Sequence, residues 1–289
     1  MLNILITGAT GNVGTEVIKS LQKLLLPLNI VANVRDATTD GSKLRDYNIR
    51  LVGFDITDSS TFASAFKDIE VLFLLRPPQI SAVKRYFKPL INSIVESNIK
   101  HIVFLSVQGV EKSSIIPHHK IERLIIENKI SYTFLRPAYF MQNFTTTLRN
   151  DVVNKKRIFL PAGNAKFTLI DVRDIGSVAA VVLTNTANHI NKSYQLTCQE
   201  KLTFSEMAKK LSAGLGIKIS YESPNIFTFY LIKRQEKMPV MLILVMIMLH
   251  FFPRFQKEPA VTDCVELITG KQPITFDRFI YDYKKLLTR

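Results

Sequence analysis

The chain has 289 residues, of which 47% are hydrophobic and 21% are charged, so its composition is that of a folded globular protein and excludes a largely disordered one. Its two cysteines, Cys198 and Cys264, lack the number and spacing of a disulfide framework or a zinc site, and we expect no metal ion. The net charge of +14 comes from basic residues spread along both halves, which indicates a basic surface and no specific nucleic-acid partner.

Strand-length apolar runs alternate with helix-length amphipathic segments through the first half of the chain, which is the pattern of βαβ units. Strands are predicted at 3–7, 30–34, 50–54, 71–75, 102–106 and 132–135. Helices are predicted between them at 13–26, 61–66, 82–97 and 118–127. The fold class is therefore α/β, with a doubly wound parallel sheet of the Rossmann type.

After Pro137 the alternation weakens, and the next clear element is a helix at 204–215. No linker rich in Gly, Pro or Ser separates the halves. We expect residues 1–150 to form the sheet domain and residues 151–289 to form a smaller C-terminal lobe that packs on the carboxyl edge of the sheet and does not fold independently.

The run MPVMLILVMIMLHFF at 238–252 is the most apolar segment. A membrane-spanning helix needs about 20 apolar residues, so this shorter run predicts a buried or interface helix and no membrane span. The alternative is an exposed helix that touches lipid or a partner. The N-terminus enters a strand without the basic region and cleavage site of a signal peptide, and we expect a cytoplasmic location.

Three glycines spaced as GxxGxxG lie between the first strand and the first helix. The first permits a tight turn, the second lets backbone N–H groups approach a pyrophosphate, and the third lets the helix pack close to the strand. The positive end of the helix would face the phosphates. The segment predicts a dinucleotide site formed by Gly8, Thr10, Gly11, Asn12, Val13 and Gly14.

The end of the second strand indicates which dinucleotide is bound. An acidic residue there bonds the ribose hydroxyls of NAD, whereas an arginine suits the 2′-phosphate of NADP. Arg35 stands at this end and Asp36 follows it. The position of Arg35 favours NADP as the cofactor, although a shift of one residue would place Asp36 there and favour NAD.

Two further strand ends carry candidate cofactor residues. Asp55 follows the third strand, where a carboxylate bonds either the adenine amino group or its own turn, and both interpretations stay open. Pro77 and Pro78 end the fourth strand. They place Leu75 and Arg76 at the crevice where ribose and nicotinamide would lie.

Several motifs together resemble the NmrA-like family of atypical short-chain dehydrogenases/reductases. These are GATGNVG at 8–14, the Arg35 position, Ser106-Val107-Gln108, YTFLRP at 132–137, MQNF at 141–144 and FTLIDVRDI at 167–175. The resemblance covers most of the chain. It implies an NAD(P)-binding Rossmann fold in which Ser106 contributes to the cofactor site, and it includes both reductases and redox-sensing regulators without turnover.

Catalytic members of the wider superfamily use a Tyr-x-x-x-Lys pair, which the helix after Ser106 lacks. Alignment backward from Tyr132 places His118 where reductase relatives carry lysine. A neutral or protonated imidazole is able to donate a hydrogen bond to a ribose hydroxyl or a substrate carbonyl. His118 is therefore the candidate catalytic residue; the alternative is a solvated helix start formed with His119 and Lys120.

Tyr139, Phe140 and Asn143 follow the sixth strand, where a substrate would meet the nicotinamide. Aromatic side chains at this position suit a flat acceptor, and core packing is the alternative for Phe140. The leading hypothesis is an NADPH-dependent reductase that transfers hydride to a small flat carbonyl or quinone-like substrate. The rival is a non-catalytic NADP(H) sensor that signals to a protein partner.

Overall fold

The computed structural model describes residues 1–34 and 41–288, which divide into two compact units. The sheet unit comprises 1–137, 172–196 and 264–272, and the C-terminal unit comprises 138–171, 197–263 and 273–289. Each unit thus combines three segments, unlike the single boundary expected at residue 150. The reason is that a late strand at 192–196 and a helix at 172–184 pack with the sheet.

The secondary structure is assigned within the described residues. The strands are β1 Leu2–Ile6, β2 Leu28–Val34, β3 Arg50–Gly53, β4 Val71–Leu75, β5 His101–Leu105, β6 Tyr132–Pro137, β7 Tyr139–Phe140, β8 Arg157–Phe159, β9 Lys166–Ile170, β10 Lys192–Leu196, β11 Lys201–Thr203 and β12 Ser220–Glu222. The helices are α1 Asn12–Gln22, α2 Phe62–Phe66, α3 Val83–Val95, α4 Pro117–Glu127, α5 Arg149–Val153, α6 Val172–Thr184, α7 Phe204–Leu215, α8 Ile226–Gln235, α9 Val240–Phe251, α10 Cys264–Thr269, α11 Phe276–Asp282 and α12 Lys284–Thr288.

In the part of the chain that the structure describes, the sheet unit has a seven-stranded sheet in the order β10-β6-β5-β4-β1-β2-β3. Every neighbouring pair is parallel. The predicted α/β fold with a doubly wound parallel sheet is confirmed. Strand β10 was not predicted, because its mixed sequence KSYQL lies at an edge of the sheet and lacks the apolar run of a central strand.

Helices cover both faces of this sheet. On one face α2, α3 and α4 share a hydrophobic core with alternate strand residues such as Leu5, Leu72 and Phe104. On the other, α6 contacts β4, β5 and β6 and packs along α1. The two helices approach closely at Gly176, where a Cβ atom would lie only 2.6 Å from the carbonyl oxygen of Glu16. This packing fixes α1, which begins at the glycine turn.

The C-terminal unit has its own core, rich in aromatic residues that include Phe144, Phe204, Phe229 and Phe276. In it, β11, β9 and β7 form one small sheet and β12 pairs with β8. The predicted helix at 204–215 is α7, with a capping box at Thr203 and Glu206. Among residues 1–34 and 41–288, no helix combines the length and apolarity needed to cross a bilayer.

Candidate functional site

The strand order of the sheet unit reverses between β1 and β4. In doubly wound sheets such a switch point opens a crevice at the carboxyl ends of the strands, where ligands bind. Gly8 lies just beyond β1, and Leu75 ends β4. A Cβ atom on Gly8 would lie 3.2 Å from Cδ2 of Leu75. The glycine turn and the end of β4 therefore meet at the edge of the sheet where the topology predicts a ligand.

The three glycines of the turn differ in what the fold itself requires. Gly8 has a φ of +61°, which favours glycine, and at Gly14 a Cβ atom would lie 2.3 Å from the carbonyl oxygen of Gly8. At Gly11 the corresponding distance is 3.3 Å, which is tight but not prohibitive. Packing thus accounts for glycine at positions 8 and 14 and much less for glycine at the exposed position 11. That a ligand approaches the backbone at Gly11 stays a prediction.

The first turn of α1 is suited to an anion. Gly11 is the N-cap and supplies no side-chain cap, and within this described helix the first turn holds no acidic residue. Its leading backbone N–H groups, including those of Asn12 and Val13, thus lack partners inside the helix and carry the positive end of the helix dipole. Val13 is buried, so its side chain belongs to the core and only its backbone can serve a ligand. Thr10 is half-buried and Asn12 is exposed.

Two polar side chains that the sequence analysis missed hold the turn in place. The Thr7 hydroxyl donates to the carbonyl of Phe73 at 3.0 Å and accepts from the N–H of Leu75 at 2.8 Å. Asn33 accepts from the N–H of Gly8 at 3.4 Å and donates to the carbonyl of Phe54 at 2.7 Å. A polar residue inside an apolar parallel strand, as at Asn33, was the available signal.

Ser106 lies directly beyond β5, whose last residue Leu105 pairs with Leu75. Its backbone N–H donates to the carbonyl of Leu135 at 2.7 Å. Its side chain is only 2% exposed, and Oγ has no hydrogen-bond partner among the described residues. A buried hydroxyl without a partner is destabilising, so it points to a ligand that completes its hydrogen bonding.

Arg76 and His118 contact each other beside the end of β4. The Nε–H of Arg76 donates to Nε2 of His118 at 3.4 Å. Nη1 of Arg76 donates to the carbonyls of Pro77, Pro78 and Ile80 at 3.1, 3.0 and 2.7 Å. The prolines thus turn the chain back around the guanidinium, which is held as a fixed positive charge against the imidazole.

Burial and this contact together determine the ionisation of His118. Desolvation and the nearby Arg76 charge lower the pKa of His118 from 6.5 to about 3, so the ring is neutral near neutral pH. Of the two forms considered from the sequence, the protonated imidazole is therefore wrong. Because Nε2 accepts from Arg76, the proton of the neutral ring is on Nδ1, which is the atom able to donate to a ligand.

Of the remaining candidate cofactor residues, the structure describes Asp55 but not Arg35 or Asp36. Oδ1 of Asp55 accepts from both the N–H and the hydroxyl of Thr57, at 2.8 and 2.7 Å, so this carboxylate caps its own turn. A bond to adenine stays a prediction. Arg35 and Asp36 lie outside the described residues. The preference for NADP over NAD that is assigned to Arg35 therefore rests on the sequence alone.

The candidate substrate residues belong to the C-terminal unit. The Tyr139 hydroxyl lies 3.2 Å from Nε2 of His250 and also bonds the side chain of Asn143. Nδ1 of His250 donates to the carbonyl of Met246 at 2.6 Å, so Nε2 is the acceptor from Tyr139. Desolvation raises the pKa of Tyr139 and lowers that of His250 to about 4. Tyr139 is therefore a neutral donor bonded inside its own unit.

The ring of Tyr139 packs edge-on against Phe167 and Phe204, with ring centroids 5.8 and 5.7 Å apart. His250, which the sequence analysis did not single out, completes this aromatic cluster. Phe140 and Asn143 are half-buried. The cluster holds Tyr139 and Asn143 in fixed positions, and their predicted role toward a substrate stays a prediction.

The residues of the sheet unit fit a dinucleotide. The glycine turn offers backbone donors and room at Gly11, Ser106 keeps a buried hydroxyl without a described partner, and neutral His118 has one donor left. The glycine turn follows β1, Ser106 follows β5, and His118 lies in the first turn of α4. That they bind the pyrophosphate, ribose and nicotinamide along the carboxyl edge of the sheet stays a prediction.

Comparison with known proteins agrees with this geometry. The model of the NmrA-like family matches residues 2–267. Prestalk A differentiation protein A of Dictyostelium discoideum is 28% identical over 280 residues, covering 96% of this chain and 91% of that protein. NAD(P)H azoreductase of Xenophilus azovorans is 29% identical over 286 residues, covering 96% of each chain.

The fold also matches solved structures. The NADPH-dependent quinone oxidoreductase QOR2 of Escherichia coli, crystallised with NADPH, superposes with a TM-score of 0.87 and covers 96% of this chain and 99% of that one. At 22% identity the match establishes a shared fold.

Proposed function

Because this chain belongs to the NmrA-like family, we propose that it is a reductase that binds NADP(H) and transfers hydride to a small flat acceptor of the quinone or azo class. The observation that carries the proposal is the glycine turn. It opens the first turn of α1 at Gly11, where packing alone does not require glycine. The azo and quinone classes are taken from the names of the two reductases that the chain is similar to.

In this proposal the candidate residues of the sheet unit have different roles in binding the cofactor. The backbone N–H groups of Asn12 and Val13 bind the pyrophosphate beside Gly11, and Arg35 binds the 2′-phosphate. Ser106 and His118 donate to the ribose or to the carboxamide end of the cofactor. Thr7 and Asn33 hold the turn and β4 in register, so these donors are in place before the ligand arrives.

The nicotinamide supplies the hydride when it is bound. The chain contributes little proton chemistry, because His118 is neutral and its helix lacks a tyrosine and lysine pair. A quinone or an azo bond suits such a site, since each accepts a hydride directly and takes one further proton from water. An unactivated ketone requires an acid at the moment of transfer and would react poorly.

The deciding experiment is steady-state oxidation of NADPH by the purified protein with a benzoquinone, an azo dye and an aliphatic ketone. We expect turnover with the first two and little with the ketone. Gly11→Val serves as the matched control, because a bulky residue there blocks the backbone that binds the cofactor. Turnover that survives unchanged in folded Gly11→Val would contradict the proposal.

The second candidate is a sensor that binds NADP(H) without turnover and signals its occupancy to a protein partner. It is favoured by the same absence of a Tyr-x-x-x-Lys pair on α4. It predicts saturable NADPH binding together with no oxidation by any acceptor. A cytoplasmic location, expected from the sequence, suits either function.

A further inference from the structure

Helix α9 presents an apolar face to solvent. It is apolar along nearly its whole sequence, VMLILVMIMLHF, whereas surface helices normally carry polar residues on the outside. Its buried residues Ile243, Met246 and His250 form one stripe, of which Ile243 and Met246 pack in the core of the C-terminal unit. The side chains that remain outside are also apolar: Met241 is 69% exposed and Leu249 is 50% exposed.

The apolar surface continues beyond α9. Phe252 and Phe255, which follow the helix, are exposed, and so are Phe227 and Leu231 on α8, which contacts α9. Phe227 and Leu231 are four residues apart and share one side of α8. We name the exposed apolar side chains of α8, α9 and residues 252–255 the apolar face. Exposed apolar side chains grouped on neighbouring elements in this way are typical of an interaction site.

Positive charge borders the apolar face at both ends of α9. Arg234 and Lys237 precede the helix, Arg254 and Lys257 follow it, and all four are exposed. The segment from Lys237 to Lys257 contains no Asp or Glu. The border is therefore cationic throughout this stretch of sequence.

The two acidic residues that flank the segment are neutralised by the protein itself. Glu236 forms ion pairs with Lys155 and Lys233. Glu258 forms ion pairs with Lys166 and Lys201, at 3.3 and 3.2 Å. Both carboxylates are paired with lysines, so the four exposed basic residues at the ends of α9 form a positive rim beside the apolar face.

We propose that the apolar face docks on a lipid bilayer that contains anionic lipids, with α9 lying in the plane of the interface. Apolar side chains enter the boundary of the acyl chains while lysine and arginine at the rim bind the headgroups. The helix is too short to span the bilayer, and its buried stripe keeps it attached to the protein.

The charge pattern favours a bilayer over a second copy of the chain. A two-fold interface would bring the same cationic rim against itself, and the segment from Lys237 to Lys257 has no acid to pair with it. An anionic surface removes that repulsion and gains from the net charge of +14.

The test measures sedimentation of the full chain with vesicles of phosphatidylcholine, with and without phosphatidylglycerol, at low and high salt. We expect binding only to the anionic vesicles, and weaker binding at high salt. Leu249→Glu places a charge in the apolar face and should reduce binding by about tenfold or more. The matched control is Leu267→Glu on α10, where the wild-type leucine is 74% exposed, and it should bind as the wild type does.

A second pair of variants tests the rim without altering the apolar face. Arg234→Gln with Lys257→Gln should weaken binding to anionic vesicles, whereas Lys23→Gln with Lys67→Gln removes the same net charge elsewhere and should change it far less. Light scattering of the same proteins reports the oligomeric state. The proposal is overturned if the anionic vesicles bind no better than neutral ones, if both leucine variants behave alike, or if Leu249→Glu only splits a dimer.

Discussion

The Nε–H group of Arg76 donates to Nε2 of His118 across 3.4 Å, and this contact joins the end of β4 to the first turn of α4. The carbonyls of Pro77, Pro78 and Ile80 hold the guanidinium in place, so the imidazole meets a charge whose position is already fixed. Burial and this charge together keep His118 neutral, and the contact leaves Nδ1–H as the donor for a ligand.

His118→Ala should lower NADPH affinity or turnover by about tenfold, the equivalent of ~1.4 kcal/mol for one lost hydrogen bond. Titration and steady-state kinetics measure the two effects. Since the pKa of His118 is about 3, its ionisation should leave no step in the pH profile near neutrality. His119→Ala is the control, because His119 contacts the carbonyl of Val110 instead. Equal and negligible effects of both variants would favour the non-catalytic sensor over the reductase.

NADPH should bind more tightly than NADH, because Arg35 at the end of the second strand suits the 2′-phosphate. Loss of a charged hydrogen-bond partner weakens binding by ~1.5–3 kcal/mol, roughly tenfold or more. Calorimetric titration of Arg35→Ala with both cofactors should show a selective loss for NADPH. Asp36→Ala is the matched variant; a change of preference in that variant alone would assign the position to Asp36.

Replacing Gly11 and Gly14 should separate binding from folding. A Cβ atom at position 14 meets backbone atoms of Gly8 and Ala9, at 2.3 and 2.8 Å, so Gly14→Ala should lower the free energy of unfolding by about 1–3 kcal/mol. Gly11→Val should stay folded and lose NADP(H) binding. Urea unfolding and cofactor titration test each variant, and normal binding by Gly11→Val would exclude the turn as the pyrophosphate site.

Ser106→Ala should change stability and binding in opposite directions. Removing a buried hydroxyl that lacks a described partner relieves an unfavourable burial of about 1–3 kcal/mol, so the free protein should become more stable. If the hydroxyl serves the cofactor, the same variant should bind NADPH more weakly. Thermal unfolding with and without NADPH measures both. Unchanged affinity would remove Ser106 from the site.

His101 should contribute to loss of stability in acid. Burial, together with repulsion by His189, lowers its pKa from 6.5 to about 4 in the folded state. As the pH falls from 6.5 toward 4, His101 binds a proton in the unfolded chain but stays neutral in the folded chain. The free energy of unfolding therefore decreases in this pH range. Denaturant titrations across it should give a smaller decrease for His101→Gln than for the wild type. Parallel curves would show that His101 plays no part.

The sequence by itself determined the elements whose signals are local. An apolar run with helix-forming flanks predicts a buried parallel strand, and the six strands predicted in the first half lie within two residues of β1 to β6. GxxGxxG predicts the turn because a φ of +61° at Gly8 favours glycine and the close approach at Gly14 leaves no room for a Cβ atom. By contrast β10 escaped prediction, since an edge strand is stabilised by its neighbour β6 and not by its own pattern.

Only the tertiary structure decided the chemistry of the side chains. Arg76 and His118 are 42 positions apart in sequence, yet their contact sets the tautomer of the histidine and, together with burial, keeps it neutral. The sequence predicted that Tyr139 contacts a substrate, but in the structure its hydroxyl bonds His250, which is 111 positions away. Hydrogen bonding and desolvation depend on which groups the folded chain brings within a few ångströms. The local sequence does not contain these distances. It therefore determines the secondary structure better than it determines the contacts and ionisation of the site residues.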